Sequence, residues 1–261
     1  ERAMEVEIPE RAEFIRIILG ELNRIASHFL FYGTYGLDIG AMNPVMIGFR
    51  ERERIQALFE GVSGARMMHN YFHIGGLKQD TPSDFSERME KILPELEQGI
   101  DECDKLLTLN EILILRTKGI GVISQEEAIQ YGMSGPPLRA TGLAYDIRAV
   151  EPYSLYDRFD FEIPTGNNGD SWDRFAIRVE EMKQSLSIIK QALQQMPSDG
   201  PVMATGLRRL PRPPKGETYV RVESPRGEFG VYLVSNGDTK PYRVKARTPS
   251  FANLQALKHL L

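Results

Sequence analysis

The sequence predicts an α+β fold, mainly α, in which a bundle of long helices carries a small antiparallel sheet late in the chain. Two observations predict it. Apolar residues recur every three or four positions over two long stretches, and short alternating segments flank an Asn-Gly pair near the end. Pro9 opens the first stretch, as Pro does in a first helical turn, and Gly33 and Gly36 are expected to end it. Its apolar stripe is Phe14, Ile18, Leu22, Ile25, Phe29 and Tyr32.

Further helices are expected in the first half of the chain. A second one begins near Pro44, with the charged run 50–54 as its solvated face. Residues 64–72 continue helically until Gly75-Gly76. A longer polar helix covers residues 83–107 and is bent or split at Pro94. Ser124 with Glu127 predicts a capping box on a short helix.

The second half contains the clearest helix and the strands. Residues 132–169 are rich in Gly, Pro, Asn and Asp, which favours loop with short extended pieces. A heptad-like helix follows Asp170, and Pro197 stops it. Strands are expected at 219–223, 229–235 and 242–245, with a hairpin turn at Asn236-Gly237. We therefore predict a helical core at 1–196 with a loop-rich insertion at 132–169, a Pro-rich linker at 197–216, and a small β-hairpin region at 217–261.

Composition excludes several classes of function. Lys and Arg total 32 against 36 Asp and Glu, so the net charge of −4 supplies no basic field for nucleic acid. One Cys excludes an internal disulfide and a four-thiolate metal or cluster site within these residues. Charged residues interrupt the longest apolar stretch, so no transmembrane segment is expected. The absence of a starting Met leads us to expect a fragment of a longer protein.

Three residues are the first candidates for chemistry. Asp38 follows the first apolar helix and is either a turn residue or a carboxylate at the wall of an apolar cavity. His69 and His73 would share one face of a helix. Such a pair could be packed, could bind a metal, or could face a partner's redox centre. A hydrolytic zinc site would need a Glu where this chain has Asn70.

Four stretches carry a resemblance to a known family. They are residues 9–16 (PERAEFIR), 37–44 (LDIGAMNP), 64–72 (GARMMHNYF) and 223–230 (ESPRGEFG). Together they resemble the D-type subunit of NADH–quinone oxidoreductase, or respiratory complex I, a family that includes the plastid and cyanobacterial H-type subunit. The family is related to the large subunits of [NiFe] hydrogenases, so the resemblance implies a hydrogenase-like helical fold. It also implies that a His-Arg-Gly loop and a Tyr that contact quinone precede residue 1.

The resemblance assigns roles to particular residues. Asp38 is implied to pair with the quinone-site His of that loop and to favour its cation. The implied quinone-pocket residues are Leu30, Thr34, Val45 and Phe49. The residues implied to face the terminal [4Fe–4S] cluster of a neighbouring subunit are Arg66, Met68, His69 and His73. The quinone, which is menaquinone, plastoquinone or ubiquinone, would be a substrate, and this chain alone would bind no metal or other cofactor.

One position departs from many family members. They have a His where this chain has Met68, and here the His comes one residue later, at His69. On a helix, that shift turns the side chain by about 100°. Many members also have Arg at the position of His73. We therefore predict that the neighbouring cluster has a lower and less pH-dependent potential, paired with menaquinone.

The resemblance implies a peripheral-arm subunit of a proton-pumping NADH:quinone oxidoreductase, active only within the complex. Its implied partners are the subunit with the terminal cluster, the 30-kDa (C-type) subunit and the membrane-arm H-type subunit. Its implied location is peripheral, on the cytoplasmic face of a bacterial membrane or on the stromal or matrix side in organelles. Two alternatives stay open. A [NiFe] hydrogenase-type large subunit would need paired Cys in the flanks, and a non-catalytic scaffold would bind quinone analogues independently of Asp38 and Phe49.

Overall fold

Four long helices dominate the computed structural model, which describes residues 1–207 and 211–261. They are α1 (Glu10–Asp38), α2 (Asn43–Ser63), α3 (Phe85–Cys103) and α8 (Ser171–Gln195). Shorter helices are α4 (Glu111–Thr117), α5 (Gln125–Gln130), α6 (Pro136–Arg139), α7 (Ile147–Val150), α9 (Pro249–Asn253) and α10 (Leu257–Leu260). The chain also has 3-10 turns at Arg2–Met4, Tyr156–Arg158 and Leu254–Ala256, and a π-helical turn at Asp104–Thr108. None of the helices in this described part is long and apolar enough to cross a membrane.

The late sheet has three antiparallel strands in sequence order. They are β3 (Gly216–Ser224), β4 (Gly227–Ser235) and β5 (Arg243–Arg247), and Tyr219 lies opposite Tyr232 in the β3–β4 register. A two-stranded pair, β1 (Phe72–His73) with β2 (Gly76–Leu77), was not predicted. The mainly helical α+β fold with a small antiparallel sheet is confirmed, and each predicted strand is present with shifted ends.

The core forms where α1 packs against α2 on one side and α8 on the other. The apolar stripe of α1 is buried, and Leu22, Ile25 and Phe29 are fully enclosed. The seam predicted on α8 is buried in the same core through Phe175 and Met182. Burial of these stripes, with each aliphatic side chain contributing about 1.5–3 kcal/mol, holds the three helices together.

The predicted end of α1 is wrong, because Gly33 and Gly36 lie inside the helix. A Cβ added at Gly36 would lie 2.8 Å from Cβ of Pro44, and one added at Gly48 would lie 2.6 Å from the carbonyl oxygen of Phe29. These glycines therefore let α1 and α2 approach closely, and they do not act as helix stops. Helix α1 continues to Asp38, which is its last residue and not part of a turn.

The region after α2 is a second correction. Gly64 caps α2 in the left-handed conformation, with φ of 75°, and its N–H donates to the carbonyl of Glu60. Residues 64–71 are consequently not helical, contrary to the prediction. The charged run on α2 is also not wholly solvated. Glu51 is fully buried against Gly99 of α3 and forms ion pairs with Arg50 and Arg54.

The middle of the chain contains more helix than predicted. Helix α3 runs through Pro94 without a break, and Asn110 caps the unpredicted α4. The capping box at Ser124 is confirmed. Residues 132–169 contain α6 and α7 where short extended pieces were expected, because Pro136 and the Asp146 cap start single helical turns. Part of the predicted Pro-rich linker, 208–210, lies outside the described residues.

Candidate functional site

Two of the predicted pocket residues and Asp38 lie on one stripe of α1. Leu30, Thr34 and Asp38 are four residues apart, so they follow one another along the same side of the helix. Leu30 is half-buried, whereas Thr34 and Asp38 are exposed. The Thr34 hydroxyl donates to the carbonyl of Leu30 at 2.9 Å. The stripe therefore leads from the core to an exposed carboxylate at the helix end.

The other two predicted pocket residues lie where α2 crosses α1. A Cβ at Gly33 would lie 3.1 Å from Cα of Val45, so Val45 sits against the turn of α1 that carries Thr34. Phe49 follows Gly48, which contacts the backbone of Phe29, and its ring is 48% exposed. The close crossing brings Val45 and Phe49 to the segment of α1 that holds Leu30 and Thr34.

Asp38 occupies an electrostatically unfavourable position. The carbonyl groups at the C-terminal end of a helix carry partial negative charge, which disfavours a carboxylate by about 0.3–1 kcal/mol. No cation within the described ranges forms an ion pair with Asp38. The guanidinium of Arg116, on α4, instead donates to the carbonyl of Ile39 at 2.7 Å. The Asp38 carboxylate is thus exposed and has no ion-pair partner in the described ranges. A cation beside it would offset the repulsion from the helix end.

Exposed apolar side chains surround the end of α1. The segment that leads into α4 lies beside it, because the side chain of Leu107 would be 3.3 Å from a Cβ at Gly36. We call this surface the apolar rim. Its members, each between 46% and 81% exposed, are Leu37, Met42, Met46, Leu109, Ile112 and Leu115. An apolar surface of this kind is typical of a protein interface or a ligand groove.

Arg66 and Met68, two of the residues expected to face a partner's cluster, lie after α2. Arg66 is half-exposed and pairs with Glu53 and Glu60 of α2. Met68 has a left-handed backbone with φ of 57°, and its side chain is 89% exposed. A bulky residue seldom adopts that conformation. The Met68 thioether is turned away from the protein.

The two histidines do not share a helix face, so the spacing argument for a paired site is wrong. His69 lies in the loop, where its Nδ1 donates to the carbonyl of Ala65 at 3.0 Å and its ring meets Phe59 edge-on at 5.0 Å. His73 lies in β1, and its carbonyl accepts from Arg16 at 2.7 Å. Within residues 1–207 and 211–261, no group of three or more metal-ligating side chains exists.

A buried ionic cluster, which the sequence analysis missed, lies in the centre of the helices. Its members, none more than 4% exposed, are Glu21, Arg24, Arg139, Asp146, Arg148, Glu181 and Glu223. Arg139 joins α6 to α8 and β3, because it donates to Glu181 at 2.6 Å and to Glu223 at 2.9 Å. The cluster therefore ties the tip of the β3–β4 hairpin to the helical core.

The second half of the cluster is centred on Arg148. It pairs with Asp146 at 2.7 Å and with Glu21 of α1 at 3.1 Å. Burial acts to raise the pKa of Glu21, but Arg24 and Arg148 outweigh it and lower that pKa to about 2. Glu21 also accepts from Tyr156 at 2.6 Å and from Ser185 at 2.7 Å. Glu21 is therefore ionised at neutral pH, and these contacts hold its carboxylate in place.

His28, which also lies on α1, adjoins this cluster. Its Nε2 lies 2.8 Å from Glu181, and the pair is buried. Burial lowers the pKa of His28, although Glu181 acts in the opposite direction. The available signal in the sequence was the presence of Glu21 and Arg24 inside an otherwise apolar helix, since buried charges are retained only when they are paired.

Comparisons with known proteins identify the family of the chain. The family model described as "Respiratory-chain NADH dehydrogenase, 49 Kd subunit" matches residues 38–211 and 207–261. A protein of Bacillus mycoides, named as the D-type subunit of NADH-quinone oxidoreductase, is 49% identical over 261 residues, which are the whole of this chain and 71% of the relative. A protein of the same name from Desulforamulus reducens is 50% identical over the same shares. The chain therefore belongs to the family of the 49 kDa subunit of the respiratory-chain NADH dehydrogenase.

Proposed function

We propose that this chain forms one wall of the quinone pocket of an NADH:quinone oxidoreductase and acts only as part of that complex. The observation that carries the proposal is the Asp38 carboxylate at the end of α1, without an ion-pair partner in the described ranges and surrounded by the apolar rim. A quinone with a long isoprenoid tail needs an apolar surface and a few polar groups for its headgroup. The edge of the α1–α2 hairpin offers both.

Asp38 and the four pocket residues have distinct roles in this proposal. Leu30, Val45 and Phe49 provide apolar contacts, and the Thr34 hydroxyl, already engaged with the Leu30 carbonyl, presents a polar edge. Asp38 stabilises a protonated partner group, for which the family resemblance suggests a His outside these residues. That partner would be a positioned acid for one of the two protons that the reduced quinone oxygens take up. In this role, Asp38 is a positioning residue.

The electrons would come from a [4Fe–4S] cluster of a neighbouring subunit. We propose that the exposed edge at Arg66, Met68, His69 and His73 faces that subunit, supported by the outward-turned thioether of Met68. The helical-rotation argument no longer applies, because residues 64–71 are not helical. Met68 stands where many family members have a His, and its thioether cannot take up a proton, so we expect the cluster potential to depend less on pH than in those members. A redox titration with a clear slope near neutral pH would contradict this.

The partners, the location and the arrangement of the helices are also proposals. Membership in the family supports other subunits of the complex as partners, and we propose the cluster-bearing subunit, the 30-kDa (C-type) subunit and the membrane-arm H-type subunit. We propose a peripheral place on the cytoplasmic face of the membrane, a hydrogenase-like arrangement of the helices, and the division into core, linker and hairpin regions. The quinone would be menaquinone, plastoquinone or ubiquinone.

Substitution of Phe49 tests the pocket. In the assembled complex, Phe49→Ala should raise the KM for decylubiquinone, or for a short-chain menaquinone analogue, about tenfold, because an exposed apolar contact of the headgroup or tail is lost. Electron transfer from NADH to a water-soluble artificial acceptor, which does not need the pocket, should not change. Phe251→Ala is the control, since Phe251 is 74% exposed but lies on α9. Equal KM values for both variants and the wild type would favour the scaffold alternative.

A further inference from the structure

A groove beside α1 is lined by basic and hydroxyl side chains, and none of its lining residues is acidic. Two adjoining cavities of about 410 and 340 Å³ share Ser27, Leu30, Pro225, Arg226 and Ser250. They run between α1 and the tip of the β3–β4 hairpin. The remaining lining residues used below are Arg52, Arg178 and Phe229. We call this surface the arginine groove.

Its three arginines differ from most others in the described part of the chain, because no carboxylate there pairs with them. Arg50 and Arg54 both pair with Glu51, whereas Arg52 between them donates only to the carbonyl of Ala26, at 3.2 Å. Arg226 lies at the hairpin tip and is exposed. Three positive charges along one groove whose lining contains no carboxylate repel one another, so an anionic group in the groove would be stabilised.

Arg178, in a half-buried site, likewise forms no ion pair with a carboxylate of the described residues. Its guanidinium carbon lies 4.0 Å from the centre of the Phe31 ring, and it donates to the carbonyl of Arg174. Burial lowers the pKa of Arg178 to about 10, and Arg174 and Arg139 act in the same direction, whereas the charge of Glu181 opposes them. The ring face compensates the guanidinium only in part. A carboxylate in direct contact would form the ion pair that Arg178 lacks among the described residues.

The shape of the groove favours an extended chain over a small ion. It follows α1 from Asn23 to Thr34, a rise of about 16 Å, which corresponds to about five residues of extended polypeptide. Apolar walls from Leu30, Pro225 and Phe229 lie among the charged positions. A single phosphate would leave most of this surface uncovered.

We propose that the arginine groove binds an extended acidic segment of another subunit of the complex, with carboxylates at Arg52, Arg178 and Arg226. The proposal rests on the membership of the chain in a multisubunit complex. Its test does not depend on quinone reduction, although Leu30 and Thr34 are shared with the proposed pocket. Complementary charge of this kind fixes the register of partners and discriminates against wrong ones.

Photo-crosslinking in the assembled complex tests the occupant. A benzoylphenylalanine at Ser250, on the exposed rim of the groove, should crosslink to a segment of another subunit with at least two Asp or Glu close to the attachment point. The same probe at Asn236, an exposed position at the far end of the sheet, should not label that segment. A crosslink to phospholipid, a crosslink to a segment without acidic residues, or no crosslink at Ser250 would overturn the proposal.

Charge reversal gives an independent measurement. Arg226→Glu should lower the affinity of the chain for the subunit that supplies the segment about tenfold, and exchanging one acidic residue of that segment for Lys should restore it. Arg243→Glu is the matched control, because Arg243 is an exposed arginine of the same sheet outside the groove. The circular dichroism and melting temperature of both variants should match the wild type. Equal affinity for both variants would contradict the proposal.

Discussion

Replacing Arg139 by Met tests whether the buried ionic cluster holds the hairpin to the helices. The Arg139 side chain is fully buried and donates to Glu181, to Glu223 and to the carbonyl of Tyr145. Without it, Glu181 retains His28 as its neighbour, and Glu223 retains only a 3.3 Å backbone contact from Ile147. Removing one member of a buried pair costs about 3–5 kcal/mol, because the remaining charge stays buried without compensation.

The expected loss for Arg139→Met is therefore about 4 kcal/mol or more in the free energy of unfolding. For a chain of this size, it corresponds to a fall of roughly 8–16 °C in melting temperature. Urea unfolding followed by circular dichroism at pH 7 measures it. Arg158→Met is the control, since Arg158 is 45% exposed and pairs only with Glu10, and should cost at most about 1 kcal/mol.

Acidification provides a second readout of the same variant. Burial and Asp146 raise the pKa of Glu223 even in the wild type, against the effect of Arg139. Without Arg139, protonation of Glu223 and Glu181 removes the uncompensated charge, so the gap between variant and wild type should narrow as pH falls from 7 to 5. A loss below about 1 kcal/mol at pH 7, equal to that of the control, would refute the electrostatic account of the cluster.

Three further predictions concern the fold. Because the pKa of Glu21 is lowered from 4.5 to about 2, its contribution of roughly 3 kcal/mol is present above pH 5 and is lost as pH falls toward 2, and Glu21→Gln should flatten this part of the stability profile. Gly48→Ala should lower the free energy of unfolding by about 1–3 kcal/mol, since its Cβ would meet the Phe29 carbonyl at 2.6 Å; a melting temperature equal to wild type would show that the crossing can widen freely. Asn110→Ala should cost about 1 kcal/mol by urea unfolding, because the side chain caps α4 by accepting from two backbone N–H groups, whereas Asn110→Asp should be close to neutral.

The periodic parts of the fold could be predicted from the sequence because burial imposes the period. Helices α1 and α8 present apolar residues at steps of three and four, and the core is built from those residues. The β4–β5 hairpin followed from alternation around Asn236-Gly237. Both patterns involve residues that are close in the sequence, so they can be recognised without knowledge of the tertiary contacts.

The errors arose where a residue acts through a distant contact. Judged from its sequence neighbours, Gly36 is typical of a helix end. In the structure, it lies inside α1 and faces Pro44 of α2 across the helix crossing. The sequence predicts helix through Gly64, but the left-handed backbone of this residue ends α2. The ionic cluster joins residues as far apart as Glu21 and Arg148, and no spacing in the sequence indicates which buried charges meet.

The candidate site was predictable in part. The four-residue spacing of Leu30, Thr34 and Asp38 places them together once α1 is known to continue past Gly36. Their proximity to Val45 and Phe49 depends on the angle and closeness of the α1–α2 crossing, which only the structure supplies. The prediction from the helical spacing of His69 and His73 was wrong, because α2 ends at Gly64 and the two residues lie in a loop and in β1.

The most direct measurement of the central claim is the quinone reductase activity of an Asp38→Asn complex. The amide keeps the size of the side chain and removes the charge that would hold a cationic partner. We predict that NADH:quinone activity falls at least about tenfold and that its pH optimum shifts to lower pH, because the partner loses its proton more readily. Electron transfer from NADH to a water-soluble acceptor should stay at the wild-type rate. Unchanged quinone reductase activity and pH profile would contradict the assignment of Asp38 to the quinone site.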